Sequence, residues 1–250
     1  MLIAQISDCH IHTAGDNPQA RLDDLARTVA SINALDPAPV LVVHTGDIAH
    51  EASAADYAAA RHVLSQLSAP LYATVGNRDR RRPLRDAFMR DDMIEADAEF
   101  VQYAVDVGGF RLVAADTLDQ QSNLGDFCAD RERSLRGLLG ATDKPTLVFL
   151  HHPPVELEGI PGQPLQFRDP ASAGMLASAI AQSKRLIGVI AGHVHRAKDV
   201  AFANVRLSTV PAIATDLTRE KDADGAYVRR PIYHLHQLSP GGVATMRVVL

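Results

Sequence analysis

The sequence predicts an α/β fold in which two β-sheets face each other and helices cover their outer sides. Three observations predict it. Apolar runs alternate with helical repeats through the N-terminal part of the chain. Paired β-rich runs joined by glycine turns follow later. No internal repeat, low-complexity segment or long linker divides the chain, so residues 1–250 read as one domain, with 215–250 a C-terminal hairpin extension.

The elements follow in order. Leu2–Ile6 is a short apolar run that stops at Ser7-Asp8. Leu22, Leu25, Val29 and Ile32 recur at three- and four-residue steps, one face of a helix, and Asp36-Pro37 and Pro39 end it. Val40–Val43 is the next β-rich run, closed by Gly46-Asp47. Ala54–Leu67 reads as a helix with Pro70 beyond it, and Leu71–Val75 as a strand running into Gly76-Asn77. This β-α-β-α-β alternation implies parallel strands joined by crossovers. The pattern then changes. Phe100–Val107 and Phe110–Ala115 flank Gly108-Gly109, a hairpin signal. Leu147–Leu150 ends at His151-His152-Pro153-Pro154, Ala171–Ser183 reads as a helix, and Leu186–Ile190 runs into Gly192-His193-Val194-His195. Arg206–Val210 is a further strand, and Ile232–Leu238 and Val243–Val249 form a last hairpin around Pro240-Gly241-Gly242.

Composition narrows the function. With 46 % hydrophobic residues in 250, the chain can bury a sizeable core. A net charge of -5 argues against a nucleic-acid polymer as partner, and the absence of Trp removes the best stacking surface for bases. Attraction for phosphate must come from a local patch or a bound cation. Cys9 and Cys128 are too few and too far apart for a disulfide framework and fit a reducing compartment. MLIAQISD lacks the basic start and long apolar segment of a secretory signal, and no run reaches membrane-spanning length. The expectation is a cytoplasmic protein with no membrane partner. Nothing in the sequence fixes its assembly, and a homo-oligomer is left open.

The chemistry gathers at the ends of the apolar runs. They terminate in Asp8-Cys9-His10, Gly46-Asp47, Gly76-Asn77, His151-His152 and His193-Val194-His195. In α/β sheets ligands sit outside the carboxyl ends of the strands, so these residues converge although they are far apart in sequence. Taken singly, a Gly-Asp is a turn and a His-x-His a surface pair; five in succession at strand ends are hard to produce by chance. Carboxylate, carboxamide and imidazole together suit a hydrolytic divalent ion, Mn, Fe, Zn or Co, and not a thiolate-bound structural zinc. In Asp-x-His and His-x-His, strand alternation lets both side chains point the same way. The donors are too many for one ion; two ions about 3.5–4 Å apart that share a carboxylate would use them all.

The segments SDCH, TGDI, GNRD, LHHPP and AGHVH, in this order, resemble the calcineurin-like metallophosphoesterase superfamily, and the match runs to about Ala214. The opening residues, the HHPP form and the short length look most like its bacterial cyclic-nucleotide phosphodiesterases and glycerophosphodiesterases. The resemblance implies a four-layer αββα sandwich of two mixed sheets. It implies that Asp8, His10 and His195 hold one metal, that Asn77, His151 and His193 hold a second, and that Asp47 bridges them. A metal-bridging hydroxide would then attack a small phosphodiester such as cyclic AMP or a glycerophosphodiester. Rival readings are a phosphomonoesterase, a UDP-diacylglucosamine-type pyrophosphatase, and a metal-binding scaffold without catalysis, against which the intact ligand set argues.

The chain departs from the family at Gly76-Asn77-Arg78-Asp79, where a histidine usually follows the asparagine. Arg78 keeps positive charge and can hold phosphate with two hydrogen bonds, but with a pKa above about 12 it gives up no proton at neutral pH. It is the candidate phosphate contact. His152 and His12 are candidate substrate contacts, and either of them, or solvent, is a candidate proton donor in place of the family histidine. Asp79 reads as a residue that orients a ligand. Arg80, Arg81, Arg82 and Arg85, with Asp86, Asp91 and Asp92 nearby, read as a solvated charge run. His44 reads as a core histidine, His234 and His236 as one strand face, and Cys9 as pointing into the core. The loop Glu156–Asp169, with Gly159, Pro161, Gly162 and Pro164, is expected to border the substrate entrance.

Overall fold

Strand β1 (Leu2–Ile6) pairs in parallel with β2 (Val42–His44), and β2 in parallel with β3 (Leu71–Ala73). This holds in a computed structural model of the protein, which describes residues 1–89, 93–95, 98–160 and 164–250. The crossovers are the helices α1 (Pro18–Asn33) and α2 (Ala54–Leu64). Pro18 opens α1, where its missing N–H costs nothing. Ser53 caps α2 in a reciprocal box with Asp56. A short third helix, α3 (Arg81–Phe88), follows β3. On its other side β1 pairs antiparallel with β10 (Ile232–Ser239), and β10 forms the terminal hairpin with β11 (Gly242–Val249). The first sheet thus runs β11-β10-β1-β2-β3.

The second sheet begins with the hairpin of β4 (Tyr103–Val107) and β5 (Phe110–Ala115). From β5 it continues in parallel through β6 (Thr146–Leu150), β7 (Leu186–Ala191) and β9 (Val205–Thr209), with β8 (Lys198–Phe202) antiparallel at the edge. Its connecting helices are α4 (Ala129–Gly140) and α5 (Pro170–Ala181). Both sheets are mixed, as expected.

Alternation along the strands builds the layers. In β6, Leu147 and Phe149 join the core that fills the space between the sheets and runs on to α1 and α2. Val148 and Leu150, one residue out of phase, join a second core under Leu135 and Leu139 of α4 and Leu176 and Ile180 of α5. Helices therefore cover both outer faces. His234 and His236 share one face of β10 in the inter-sheet layer, where His236 bonds Gln5 Oε1 and Thr245 Oγ1, each at 2.9 Å. Among the described residues, no helix is long and apolar enough to cross a membrane.

Three elements escape the sequence reading: α3, α4 and β8. Their sequences, RRPLRDAF, ADRERSLRGLLG and KDVAF, carry charge or glycine where an apolar stripe would announce a helix or strand. Strands β2 and β3 are also shorter than their apolar runs: β2 starts two residues late and runs on to His44, and β3 leaves the ladder at Ala73 to form the loop described next.

Candidate metal centre

The parallel strands of both sheets release their chains at one end of the molecule, and the loops there are tied together by backbone hydrogen bonds. Asp8 N–H donates to Gly46 O (3.0 Å), His10 N–H to Asp47 O (2.9 Å) and Gly192 N–H to His151 O (3.1 Å). Glycine is required for the approach at Gly76 and Gly192, among others. A Cβ on Gly76 would lie 2.2 Å from Asp47 Oδ1, and one on Gly192 2.2 Å from Ser7 Oγ. Any larger residue would drive the loops apart.

The side chains do not reach the site by strand alternation. Asp8, His10, Asp47, His193 and His195 all have left-handed backbones, with φ of 56°, 46°, 55°, 70° and 54°. The chain coils at these residues after the strand has ended. The shared direction of the Asp-x-His and His-x-His pairs comes from paired left-handed turns, and the expectation of an extended strand end is corrected. Such conformations cost L-residues on the order of 1–2 kcal/mol, and they collect where function demands a fixed geometry.

Two donor sets result. In the first, Asp8, His10 and His195 converge, with His195 Nε2 3.3 Å and His10 Nε2 3.7 Å from Asp8 Oδ1. In the second, Asn77 Oδ1 stands 3.1 Å from His151 Nε2 and 3.0 Å from His193 Nδ1. Asp47 Oδ2 lies between the sets, 3.3 Å from His10 Nε2 and 3.6 Å from His151 Nε2. The two sets are also linked directly, since His193 N–H donates to Asp8 Oδ2 at 3.1 Å.

Tautomers follow from the partners behind the rings. His151 Nδ1 is 2.7 Å from Thr45 O and His195 Nδ1 3.0 Å from Leu217 O. A carbonyl only accepts, so each Nδ1 carries a proton and Nε2 is the atom each ring turns toward the site; at His151, which burial holds neutral, that atom carries a lone pair, while Asp8 raises His195 against its burial. Lone pairs therefore face lone pairs: His151 Nε2, Asn77 Oδ1 and the Asp47 carboxylate form one such group. Asp8 Oδ1 and His10 Nε2 are buried with no hydrogen-bond partner. Buried acceptors that meet only acceptors are costly unless a cation sits among them. The donor chemistry and these orphaned atoms fit divalent metal ions.

The electrostatics agree. Burial pushes Asp47 up to about 6, with His10 pulling against it. Burial would also raise Asp8, but His195 and His10 hold it well below the usual carboxylate range. Burial lowers His10, His151 and His193, so these rings are held neutral. Asp79 is wholly buried and raised to about 6 by burial and by Asp47. It accepts from Gly76 N–H (3.0 Å), Ala49 N–H (3.2 Å) and Tyr57 Oη (2.9 Å), clamping the Asp47 loop to the Asn77 loop.

Arg78 anchors Asp47 through its backbone, N–H to Oδ1 at 2.7 Å, and its half-buried side chain lines a cleft of about 170 Å³ beside Asn77 and His50. Among the described residues its guanidinium has no ion pair. The other arginines part company. Arg80 joins Arg78 on the cleft. Arg81 is not solvated: it grips the wholly buried Asp116 at 2.7 and 2.9 Å. Arg82 pairs with Asp86 at the surface, and Arg85 donates to the carbonyls of Ala98 and Glu95. Asp91 and Asp92 lie outside the described residues.

His152 is wholly buried, with Nδ1 2.9 Å from Thr117 Oγ1 and its ring 4.4 Å from that of His193. It packs against the second donor set and does not line the cleft. Burial holds it well below the usual imidazole value, so at neutral pH the ring is neutral and not the imidazolium that a strong proton donor needs. His12 stands on the rim, bonded to Ala14 O at 2.7 Å, with its ring 6.1 Å from that of His50. His44 is a satisfied core histidine, with Nε2 3.1 Å from Cys9 Sγ. In the loop after HHPP, Pro161 and Gly162 lie outside the described residues, but Gln166 reaches His193 Nε2 through Oε1 at 3.0 Å. Three polar residues at the site were not singled out in the sequence: His50, Gln166 and Asn123. Asn123 receives Asn77 Nδ2 at 3.4 Å, which turns Asn77 Oδ1 toward the histidines. For His50 a signal existed, a histidine three residues after Asp47; for the other two there was none.

Comparison with known proteins agrees with this geometry. Residues 1–197 match the sequence pattern of a family described as calcineurin-like phosphoesterase. A glycerophosphodiester phosphodiesterase of Enterobacter lignolyticus is 28 % identical over 218 residues, covering 85 % of this chain and 77 % of its own. The 3′,5′-cyclic adenosine monophosphate phosphodiesterase of Pseudomonas aeruginosa is 27 % identical over 236 residues, 90 % of this chain and 83 % of its own. Among solved structures, a dimetal phosphatase from Danio rerio superposes with a TM-score of 0.69 at 14 % identity, covering 98 % of each chain, a likeness of fold.

Proposed function

The chain belongs to the calcineurin-like phosphoesterases, and from that premise we propose that it is a two-metal phosphodiesterase acting on small phosphodiesters, with glycerophosphodiesters and cyclic AMP as leading substrates. The observation that carries the reading is the place of Asp47 Oδ2, between His10 of one donor set and His151 of the other. The names of the relatives from Enterobacter lignolyticus and Pseudomonas aeruginosa support the diester class.

Asp8, His10 and His195 would hold one ion, Asn77, His151 and His193 the second, and Asp47 both. Bound there, divalent ions supply Lewis-acid neutralisation of phosphoryl charge and an activated water. The protein's own groups do the rest. Thr45 O and Leu217 O fix the tautomers of His151 and His195. Asp79 holds the loops that carry Asp47 and Asn77 in register. Arg78, with its fork free of carboxylates, receives the non-reacting phosphoryl oxygens from the cleft side, and its charge is permanent.

The test uses metal-stripped protein reloaded with Mn²⁺ and assayed on paired mono- and diesters. Diesters are expected to be cleaved in preference, and Asp47→Ala to lose activity and to hold fewer than two equivalents of metal. Preference for monoesters, or two full equivalents in Asp47→Ala by elemental analysis, overturns the reading.

A further inference from the structure

His10 is the one ring of the first donor set whose rear nitrogen meets no carbonyl. Its Nδ1 faces Nδ1 of His50 at 3.3 Å, with the ring centroids 5.5 Å apart. Two imidazole nitrogens at that distance form a hydrogen bond only if one carries the proton and the other a lone pair. The front of the ring decides which. His10 Nε2 is buried, has no hydrogen-bond partner, and lies 3.3 and 3.7 Å from carboxylate oxygens of Asp47 and Asp8. As a metal donor it must present a lone pair there, which puts the proton of His10 on Nδ1. His50 must then accept with its own Nδ1 and carry its proton on Nε2. That nitrogen points at Glu51, whose Oε1 is 3.5 Å away. The backbone of His10 is held separately: Arg21 donates to His10 O at 2.9 Å and pairs with Asp216.

We propose that His50 is a positioning residue, whose Nδ1 accepts the Nδ1–H of His10 and so fixes the tautomer and ring plane in which His10 Nε2 meets a cation. His50 does for His10 what Thr45 O does for His151 and Leu217 O for His195. His10 thereby depends on a side chain where His151 and His195 depend on backbone carbonyls. An acceptor behind a ligating imidazole is worth about 10–100-fold in metal affinity. The proposal rests on the reading of His10 as a ligand.

The experiment titrates Mn²⁺ into metal-stripped protein and counts equivalents and affinities by equilibrium dialysis, without reference to turnover. The variants are His10→Ala, His50→Leu and His50→Gln; His50→Ala replaces the leucine variant should that one not fold. His10→Ala should lose one equivalent. His50→Leu should keep both but bind one of them roughly 10–100-fold more weakly. His50→Gln, whose amide oxygen can accept the same proton, should recover most of that loss. If His10→Ala binds two equivalents at wild-type affinity, His10 is not a ligand and the two-metal reading fails with it. If His10→Ala loses its equivalent while His50→Leu binds as wild type does, the ligand stands and the positioning role falls. Equal weakening of His50→Leu and His50→Gln also overturns the role, since acceptance of a proton would then not be what His50 supplies.

Discussion

Arg78 brings a permanent cation to a place where the family more often keeps a histidine. A guanidinium can grip phosphate at two points but cannot protonate a departing alkoxide. His152 does not make up the difference, because burial keeps it neutral. Esters with acidic leaving groups need no proton and should be cleaved well; esters of basic alcohols should lag. Arg78→His is therefore expected to help poor leaving groups more than good ones while raising KM, the lost charged contact costing about 1.5–3 kcal/mol of binding. A leaving-group series on both proteins measures this, and parallel lines of rate against leaving-group pKa would refute it. At this scale the candidate ligands were legible, because each sits in a short segment at the end of an apolar run. What escaped were residues that act through a neighbour. His50, Gln166 and Asn123 each bond a candidate ligand from behind; the histidine three residues after Asp47 was a signal for the first, and no spacing marks the other two. The left-handed backbones were misread for a different reason: period-two alternation describes a strand, and these residues come after the strand has stopped.

Helix α3 shows how charge can hide an element. Its arginines look solvated in sequence, yet Arg81 leaves the helix surface to meet the buried Asp116, stacks 5.0 Å from the Phe100 ring, and ties α3 to the end of the second sheet. Arg82, one residue on, faces water beside Asp86. Removing Arg81 takes the two short hydrogen bonds from the buried Asp116 and leaves it Arg131 at 3.7 Å and the N–H groups of Val101 and Leu118, whereas removing Arg82 loosens a surface pair. Arg81→Ala should cost about 1.5–3 kcal/mol of unfolding free energy, and Arg82→Ala no more than about 0.5 kcal/mol. Urea unfolding of the two variants distinguishes them; equal losses would mean that Arg81 and Asp116 are not coupled. Helix α4 hides in the same way, since Arg131 occupies a buried position and reaches Asp126 at 2.9 Å. Hydrophobic periodicity finds the helices that bury carbon, and these two bury guanidinium groups as well. Strands β6 and β7, TLVFL and LIGVIA, were legible because they are buried along almost their whole length and are nearly continuous apolar runs.

For the molecule as a whole, the candidate centre lies on the seam between the sheets. The first sheet supplies Asp8, His10, Asp47 and Asn77, the second His151, His193 and His195, and Gly192 passes so close to Ser7 that no side chain could be inserted. Several of these donors also hold the chain in the left-handed region. In the metal-free protein that conformation is a burden with no return, and alanine would inherit it where glycine would not. Asp47→Gly should accordingly unfold at a higher temperature than Asp47→Ala, by an amount equivalent to about 1 kcal/mol, and His195→Gly likewise against His195→Ala; calorimetry showing the alanine variants equal or better would contradict this. The donors are thus the positions where heat tolerance and chemistry pull hardest against each other. A screen for robust variants, run blind to turnover, would drift toward glycine at these sites and harvest sturdy, inert protein, so any such campaign must score catalysis in every round.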